Sequence, residues 1–177
     1  MFYNAPAKGD DGLYFVKALG DDKRKCFVQL NNVKVADVSG EVVFDLGSEG
    51  NVLKIQGIDS ANLESAKENC ETWFGKKLCD TVIKRAYTPS VTNGQITGDR
   101  IEATKVFNAQ QEVVEFDMLQ TDKMCNVILE FAGLWFAKKT FGPTWNLVQV
   151  KIHPDPEPEP ILDVYPDGYA FVDDDDQ

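Results

Sequence analysis

The sequence predicts a mainly β domain over residues 1–152 and a disordered acidic tail over residues 153–177. Short runs of β-branched and aromatic residues, separated by turn residues, recur along most of the first 152 positions. One stretch, residues 60–74, instead carries apolar residues at helical spacing. Beyond residue 152, prolines and acids replace the apolar pattern, and this composition does not support a core.

The first strands are expected between residues 12 and 57. Five runs there carry the strand pattern, namely GLYFVKAL, KCFVQL, VKVADV, EVVFDL and NVLKIQGI. Glycine, asparagine, aspartate and serine separate them, and these residues favour tight connections. The five runs therefore predict a meander of neighbouring strands.

A helix is expected after these strands. Asp59 and Ser60 are candidate capping residues, and apolar side chains follow them at helical spacing. The helix is therefore predicted over roughly residues 60–74, with its end near Gly75.

The second half of the domain is again predicted to be mostly strand. Residues 76–87 fit either a second short helix or a strand with basic ends, and residues 88–100 have the composition of a loop. Strand signals resume in RIEATKVF and EVVEFDML, and again in MCNVILEFAGLWFAKKT and TWNLVQVKI. The last two runs predict a hairpin that turns at FGP, residues 141–143.

The tail differs from the domain in both backbone chemistry and charge. Proline occupies every second position of HPDPEPEP, which removes backbone donors and favours an extended spacer. Residues 153–177 hold nine of the 29 acids in the chain and none of its 18 lysines and arginines. The domain is therefore close to neutral, and it can present a cationic surface despite the net charge of −11.

Several function classes lack their sequence signals. Cys26, Cys70, Cys79 and Cys125 form no CxxC pair and His153 is the single histidine, so we expect buried, reduced cysteines and no metal site. No GxSxG, P-loop or HExxH motif occurs, so we expect neither an enzyme nor a cofactor. Because no run approaches a membrane span and no signal peptide is evident, the protein is expected to be soluble and unsecreted.

Basic residues alternate with aromatic residues on the predicted strands and their connections. The candidate nucleic-acid contacts are Lys23, Arg24, Lys25, Phe27, Lys76, Lys77, Lys84, Arg85, Tyr87, Trp135, Lys138, Lys139, Phe141 and Trp145. Single-stranded DNA requires both types of side chain, because its phosphates bind cations and its unpaired bases stack on rings. Stacking contributes about 1–3 kcal/mol per base and tolerates any base. The pattern therefore predicts sequence-independent binding of single-stranded DNA.

Two other interpretations of these residues remain open. Aromatic residues on strands usually pack in the core, which we expect for Phe15, Phe44, Phe116 and Phe131. Lysines on edge strands discourage aggregation, so the basic pairs also fit solvated edges.

The string LEFAGLWFAKKTFGPTWNLVQVKI, followed by the proline and acid spacer and an acidic end, resembles the closing strands and tail of viral single-stranded DNA-binding proteins. That family includes the small acidic-tailed replication protein of short-tailed coliphages and its relatives in large DNA viruses of eukaryotes. The resemblance implies an oligonucleotide/oligosaccharide-binding (OB) fold, a five-stranded barrel with one helix between its third and fourth strands. It is strongest over residues 124–152 and the tail.

The resemblance also implies a biological role. It implies action in DNA replication, recombination or repair, in the host compartment where DNA is replicated, and a possible homodimer. It implies that Trp135 lies near the DNA-binding surface, and that the acidic tail contacts polymerase and primase-helicase partners. The tail ends in DDDDQ without the terminal aromatic of the coliphage type, so Phe171 is the expected substitute. The expected tail contacts are Tyr169, Phe171, Asp173, Asp174, Asp175 and Asp176.

A second function also fits the composition. A β domain could use an acidic tail to bind basic proteins such as histones, without any contact to nucleic acid. This function does not require alternating basic and aromatic residues, so that alternation favours DNA binding. If the tail is tethered beside a cationic groove, it competes with DNA at an effective concentration on the order of millimolar.

Overall fold

Strands are the most abundant secondary structure in the part of the chain that the computed structural model describes, which is residues 1–154 and Gly168. The strands are β1 (Phe2–Tyr3), β2 (Ala7–Lys8), β3 (Tyr14–Leu19), β4 (Cys26–Asp37), β5 (Val42–Asp45), β6 (Gln95–Phe107), β7 (Val113–Val114), β8 (Met124–Phe136) and β9 (Phe141–Ile152). The helices are α1 (Glu49–Glu68), α2 (Cys70–Phe74) and α3 (Asp80–Ala86), with a 3₁₀ helix at Phe116–Met118. Among the described residues, no helix is long and apolar enough to cross a membrane.

Five of the strands close a barrel. β4 pairs with β5, β5 with β6, β6 with β9, β9 with β8, and β8 again with β4. The β6–β9 pair is parallel and the other four pairs are antiparallel. A closed five-stranded barrel of this kind is an OB-like fold. The prediction of a mainly β, OB-like barrel is therefore confirmed.

Alternate side chains of the barrel strands form the core. Phe44 and Phe131 are fully buried, as predicted, and each burial contributes about 1.5–3 kcal/mol. Phe15 and Phe116 are only half-buried, so they lie at the edge of the core and not within it. The guanidinium of Arg100 lies 3.9 Å from the centre of the Phe116 ring and covers its face.

Register shifts interrupt several of the long strands, and two of them coincide with a residue of positive φ. β4 continues through the predicted break at Asn31 and Asn32 as a bulge, where its register with β8 shifts and Asn32 has a φ of 56°. In β8, the register with β9 shifts before Gly133, which has a φ of 148°. A Cβ atom at Gly133 would lie 2.1 Å from the carbonyl oxygen of Val16, so only glycine fits there.

The helical segment begins earlier than predicted, because NVLKIQGI belongs to α1 and not to a strand. The Ser48 side chain accepts a hydrogen bond from the Asn51 backbone amide and caps the helix. The buried positions of α1 follow helical spacing, but three of the five are polar: Asn51, Ile55, Asp59, Asn62 and Ala66. The spacing of apolar residues in the sequence therefore could not reveal the buried face of α1, because most of that face is polar. The predicted end near Gly75 is confirmed, since Gly75 has a φ of 73° and ends α2.

The position of the helices corrects one implication of the resemblance. α1, α2 and α3 lie between β5 and β6, the second and third barrel strands, whereas the resemblance implies one helix between the third and fourth. The connection between the third and fourth strands instead holds β7 and the 3₁₀ helix, where EVVEFDML was predicted to be one strand. Residues 76–87 include helix α3, which settles the alternative that the sequence left open.

The final hairpin turns earlier than predicted. Ala137 donates a backbone hydrogen bond to Thr140 over 2.8 Å, so the turn consists of Ala137–Thr140. Phe141 opposes Phe136 and Pro143 opposes Leu134, so the FGP segment is the start of β9. The predicted loop at residues 88–100 is also only half correct, because β6 begins at Gln95.

Candidate nucleic-acid interface

An aromatic cluster joins the helices to the β8–β9 hairpin. Phe136 and Phe141 stack in parallel with their ring centres 5.4 Å apart. The Phe141 ring also lies 5.2 Å from Phe74 and 5.1 Å from Tyr87. Phe141 and Tyr87 are buried, so they cannot stack on bases as predicted, because the rings that pack around them exclude a ligand.

This cluster brings three predicted basic pairs to one end of the molecule. Each basic residue lies two or three positions from a ring of the cluster. We call the six side chains Lys76, Lys77, Lys84, Arg85, Lys138 and Lys139 the cationic end. All six are exposed, and among the described residues only Lys77 forms an ion pair, 3.7 Å from Glu71. Unpaired exposed cations are suited to bind phosphates.

A groove of about 610 Å³ crosses the outer face of β5 and β6 and reaches the β8–β9 hairpin through Trp135 and Pro143. Among the described residues, none of the six cationic side chains lines this groove, and Lys138 lines a separate groove with Trp73 and Phe74. Val43, Thr97 and the half-buried Trp135 are among its lining residues. In OB folds the usual ligand face is the second and third strands with the loop between the fourth and fifth, which here is the Lys138–Lys139 turn. Glu41 and Asp99 are the two carboxylates in the lining.

A buried hydrogen-bond network supports one wall of the β5–β6 groove. The Tyr87 hydroxyl donates to Asp59 Oδ1 over 2.5 Å, and Ser90 donates to both oxygens of Asp59. Trp145 Nε1 donates to Ser90 Oγ over 2.8 Å. Trp145 is 4% exposed and its ring lies 5.4 Å from Phe131. It therefore holds the wall in place and does not offer a ring face to bases, contrary to the prediction.

The same network reaches the N-terminal strand. Asn62 donates to the Tyr87 hydroxyl over 2.9 Å and accepts from the Tyr3 hydroxyl over 2.6 Å. Burial raises the pKa of Tyr3 to about 12. The pKa of Tyr87 is also raised, mainly by burial and to a smaller extent by the negative charge of Asp59. Both hydroxyls therefore remain protonated donors at neutral pH. The sequence pattern did not indicate that Asp59, Asn62 and Ser90 support the site. The one available signal was the helical spacing of the polar residues Asp59 and Asn62.

Lys23, Arg24, Lys25 and Phe27 lie apart from the cationic end. The first three are in the β3–β4 turn, and Phe27 is 55% exposed on β4. Lys23 Nζ lies 5.3 Å from the centre of the Phe2 ring, and Lys25 Nζ lies 3.9 Å from Glu130. Cys26 opposes Phe131, five residues from Phe136 along β8, so about 17 Å of strand separates the two surfaces.

The predicted tail contacts lie outside the described residues: Tyr169, Phe171, Asp173, Asp174, Asp175 and Asp176. The structure does show where the tail begins, since the His153 ring contacts Asn126 Oδ1 at 2.8 Å. This point is separated from the β8–β9 turn by the twelve residues of β9, about 40 Å. The basic turn and the start of the tail at His153 are therefore close in sequence but lie at opposite ends of β9.

The cysteines differ from one another in exposure. All four are free; Cys70 and Cys125 are buried, Cys26 is half-buried and Cys79 is exposed, so the expectation of burial is wrong for Cys79. Burial raises the pKa of the Cys125 thiol to about 12. Among the described residues, no group of three or more histidines, cysteines or acids is placed to hold a metal ion.

Comparison with known families and structures gives one family and one shared fold. A model described as a family of unknown function (DUF5871) matches residues 31–173. The chain belongs to this family. No curated protein matches by sequence.

Two solved structures share the fold. One is the single-stranded DNA-binding protein from bacteriophage Enc34 in complex with single-stranded DNA, with 14% identity, a TM-score of 0.50, and coverage of 88% of this chain and 97% of that chain. The other is a C-terminal truncation of the same phage protein, with 14% identity, a TM-score of 0.52, and coverage of 86% and 96%. At this identity the similarity shows the fold alone.

The DUF5871 match covers the elements that form the candidate site. It begins at Asn31 within β4, so β1, β2, β3 and the Lys23–Lys25 turn lie outside it. The β5–β6 groove and the cationic end lie within it. The candidate site therefore belongs to the part of the chain that the DUF5871 model describes.

Proposed function

We propose that this protein binds single-stranded DNA with little dependence on sequence and is not an enzyme. One observation carries the proposal: an aromatic cluster gathers three basic pairs at the end of the β8–β9 hairpin, and the same hairpin supplies Trp135 to the groove. This groove occupies the usual ligand face of the OB fold. The phage protein that shares this fold has been solved in complex with single-stranded DNA, which supports the same ligand class here.

The charges of the site indicate how a strand would be oriented. Glu41 and Asp99 within the groove repel phosphates, whereas Lys138 and Lys139 on the bordering turn attract them. Bases therefore face the groove and stack on Trp135, and the backbone follows the cationic border. Stacking provides about 1–3 kcal/mol per base, and phosphate contacts make affinity strongly salt-dependent.

The proposal extends to a role in viral DNA replication, recombination or repair, in the host compartment where DNA is replicated. The acidic tail would recruit replication proteins such as polymerase and primase-helicase and compete with DNA for the cationic end. Its 24 residues after His153 can reach about 80 Å when extended, which exceeds the length of β9. The possible homodimer remains a prediction from the resemblance.

A gel shift with labelled oligo-dT, alone and annealed to its complement, tests the ligand class. We expect the single strand to shift at low salt and the duplex to shift at much higher protein concentration, because stacked, paired bases cannot reach Trp135. Equal shifts would indicate general polyanion binding and would contradict the proposal. Absence of both shifts, together with binding to histones, would favour the basic-protein function.

A further inference from the structure

A second groove lies on another part of the barrel, where β4, β8, β9 and the end of β6 lie side by side. Across it, Gln29 opposes Ile128, Ile128 opposes Gln149, and Gln149 opposes Lys105. The groove has a volume of about 410 Å³. We call it the amide groove, because Gln29, Gln111, Asn126 and Gln149 line it with the Phe107 ring and Lys151.

The amide groove differs chemically from the β5–β6 groove. Among the described residues its lining contains no carboxylate and one cation, Lys151, whereas Glu41 and Asp99 line the other groove. Two more lysines border it, since Lys105 opposes Gln149 and Lys54 Nζ donates to the Gln29 carbonyl over 3.1 Å. A phosphate can therefore approach the amide groove without meeting an acid in its lining.

Two of the four amides already have structural roles. Asn126 Oδ1 accepts from the Asn32 backbone amide over 2.9 Å and contacts His153, and Gln29 Nε2 donates to Asn31. Within residues 1–154, the side-chain amides of Gln111 and Gln149 make no hydrogen bond. Both residues are exposed, so each offers a donor and an acceptor to a ligand.

We propose that the amide groove binds bases of a single strand and adds a small base preference to binding that otherwise tolerates any base. This inference rests on the proposed function. A primary amide can donate to and accept from one base edge at once, which discriminates between bases, whereas stacking alone does not. The half-exposed Phe107 ring supplies a stacking face, and Lys151 supplies the phosphate contact. The groove lies four residues along β9 from Trp145, about 13 Å, so a strand leaving the β5–β6 groove can reach it.

Homopolymer titrations of the full-length protein test the inference. Labelled oligo-dT, oligo-dA and oligo-dC are titrated by fluorescence anisotropy against wild type, Gln149→Ala and Lys151→Ala. We expect wild type to prefer one base by about three- to five-fold, which is a small preference within sequence-tolerant binding, and Gln149→Ala to remove most of it. Lys151→Ala should weaken binding of every homopolymer equally and lower the salt slope by about one.

Gln56→Ala and Lys67→Ala are the matched controls, because they remove one side-chain amide and one lysine from α1. Thermal melts check that all variants fold. A Gln149→Ala protein whose base preference equals that of wild type overturns the amide-groove proposal. If binding in that case still depends on Trp135 and on Lys138–Lys139, the proposed function stands. A wild-type protein that binds none of the three single strands overturns both.

Discussion

At the residue scale, two tryptophans on neighbouring strands have opposite surroundings. Both line the β5–β6 groove, but Trp145 is 4% exposed, donates to Ser90 and packs against Phe131, whereas Trp135 is half-buried. The bulge at Gly133 lies between them in the β8–β9 ladder and shifts which residues face outward. A single strand can therefore stack on Trp135, and Trp145 acts on the site only through the wall it supports.

Trp135→Ala should weaken binding of oligo-dT by about 1–3 kcal/mol with little change in the salt slope, because it removes stacking and no charge. Fluorescence anisotropy over a salt series measures both quantities. Leu53→Ala, an exposed apolar position on α1, is the control. Wild-type affinity in Trp135→Ala would place the strand elsewhere.

Tyr87→Phe should lower the free energy of unfolding by about 1–3 kcal/mol, because Asp59 loses a buried donor and the Asn62 amide loses its acceptor. Urea denaturation measures the change. Tyr14→Phe, at an exposed position, should have almost no effect. Equal losses in the two variants would mean that the network adds no stability.

The raised tyrosine pKa values predict a loss of stability at high pH. The unfolded chain ionises Tyr3 near its ordinary pKa of 10, whereas the folded pKa is about 12. The stabilisation is therefore present below pH 10 and is lost as the pH rises from 10 towards 12. Urea titrations at pH 9, 10 and 11 should show a shallower decline for Tyr3→Phe than for wild type. Parallel declines would contradict this assignment.

At the scale of elements, the β8–β9 hairpin connects the core to the proposed phosphate contacts. Phe136 and Phe141 anchor its end in the aromatic cluster, and the turn between them presents Lys138 and Lys139 to solvent. The alternating pattern predicted both strands of this hairpin. It could not place the turn, because a proline within FGP resembles a turn signal but is tolerated at the start of β9. The sequence pattern also predicts a strand over the first part of α1, because the buried face of this helix is largely polar and gives no helical apolar spacing.

The double substitution Lys138→Ala/Lys139→Ala should reduce the salt slope of oligo-dT binding by up to about two and weaken binding most at low salt. Lys8→Ala/Lys67→Ala removes the same charge from β2 and α1 and should leave the slope unchanged. The two double variants are compared by anisotropy over the same salt series. An equal reduction of the slope by both would indicate that only net charge matters.

At the scale of the whole molecule, charge is divided between a nearly neutral domain and an acidic tail. The composition of the sequence predicts this division of charge, and the resemblance to viral single-stranded DNA-binding proteins predicts the OB-like barrel. Neither could show that the helices lie between β5 and β6 and bring Lys76, Lys77, Lys84 and Arg85 to the hairpin. That arrangement depends on long-range ring packing, which leaves no local signal in the sequence.

Truncation after Pro154 removes the tail acids but retains His153 and its contact with Asn126. The truncated protein should bind oligo-dT more tightly at low salt, and the gain should shrink as salt screens the tail. A full-length variant with Tyr169→Ala and Phe171→Ala keeps all acids and should bind DNA as wild type does. Unchanged affinity after truncation would show that the tail does not compete with DNA.

Amide hydrogen exchange with and without oligo-dT tests most directly whether the β5–β6 groove and the cationic end bind a single strand. Our proposal predicts slower exchange on binding at Gln95–Asp99 and across the Ala137–Thr140 turn, with no change over the exposed face of α1. Binding that leaves exchange at both segments unaltered would contradict it.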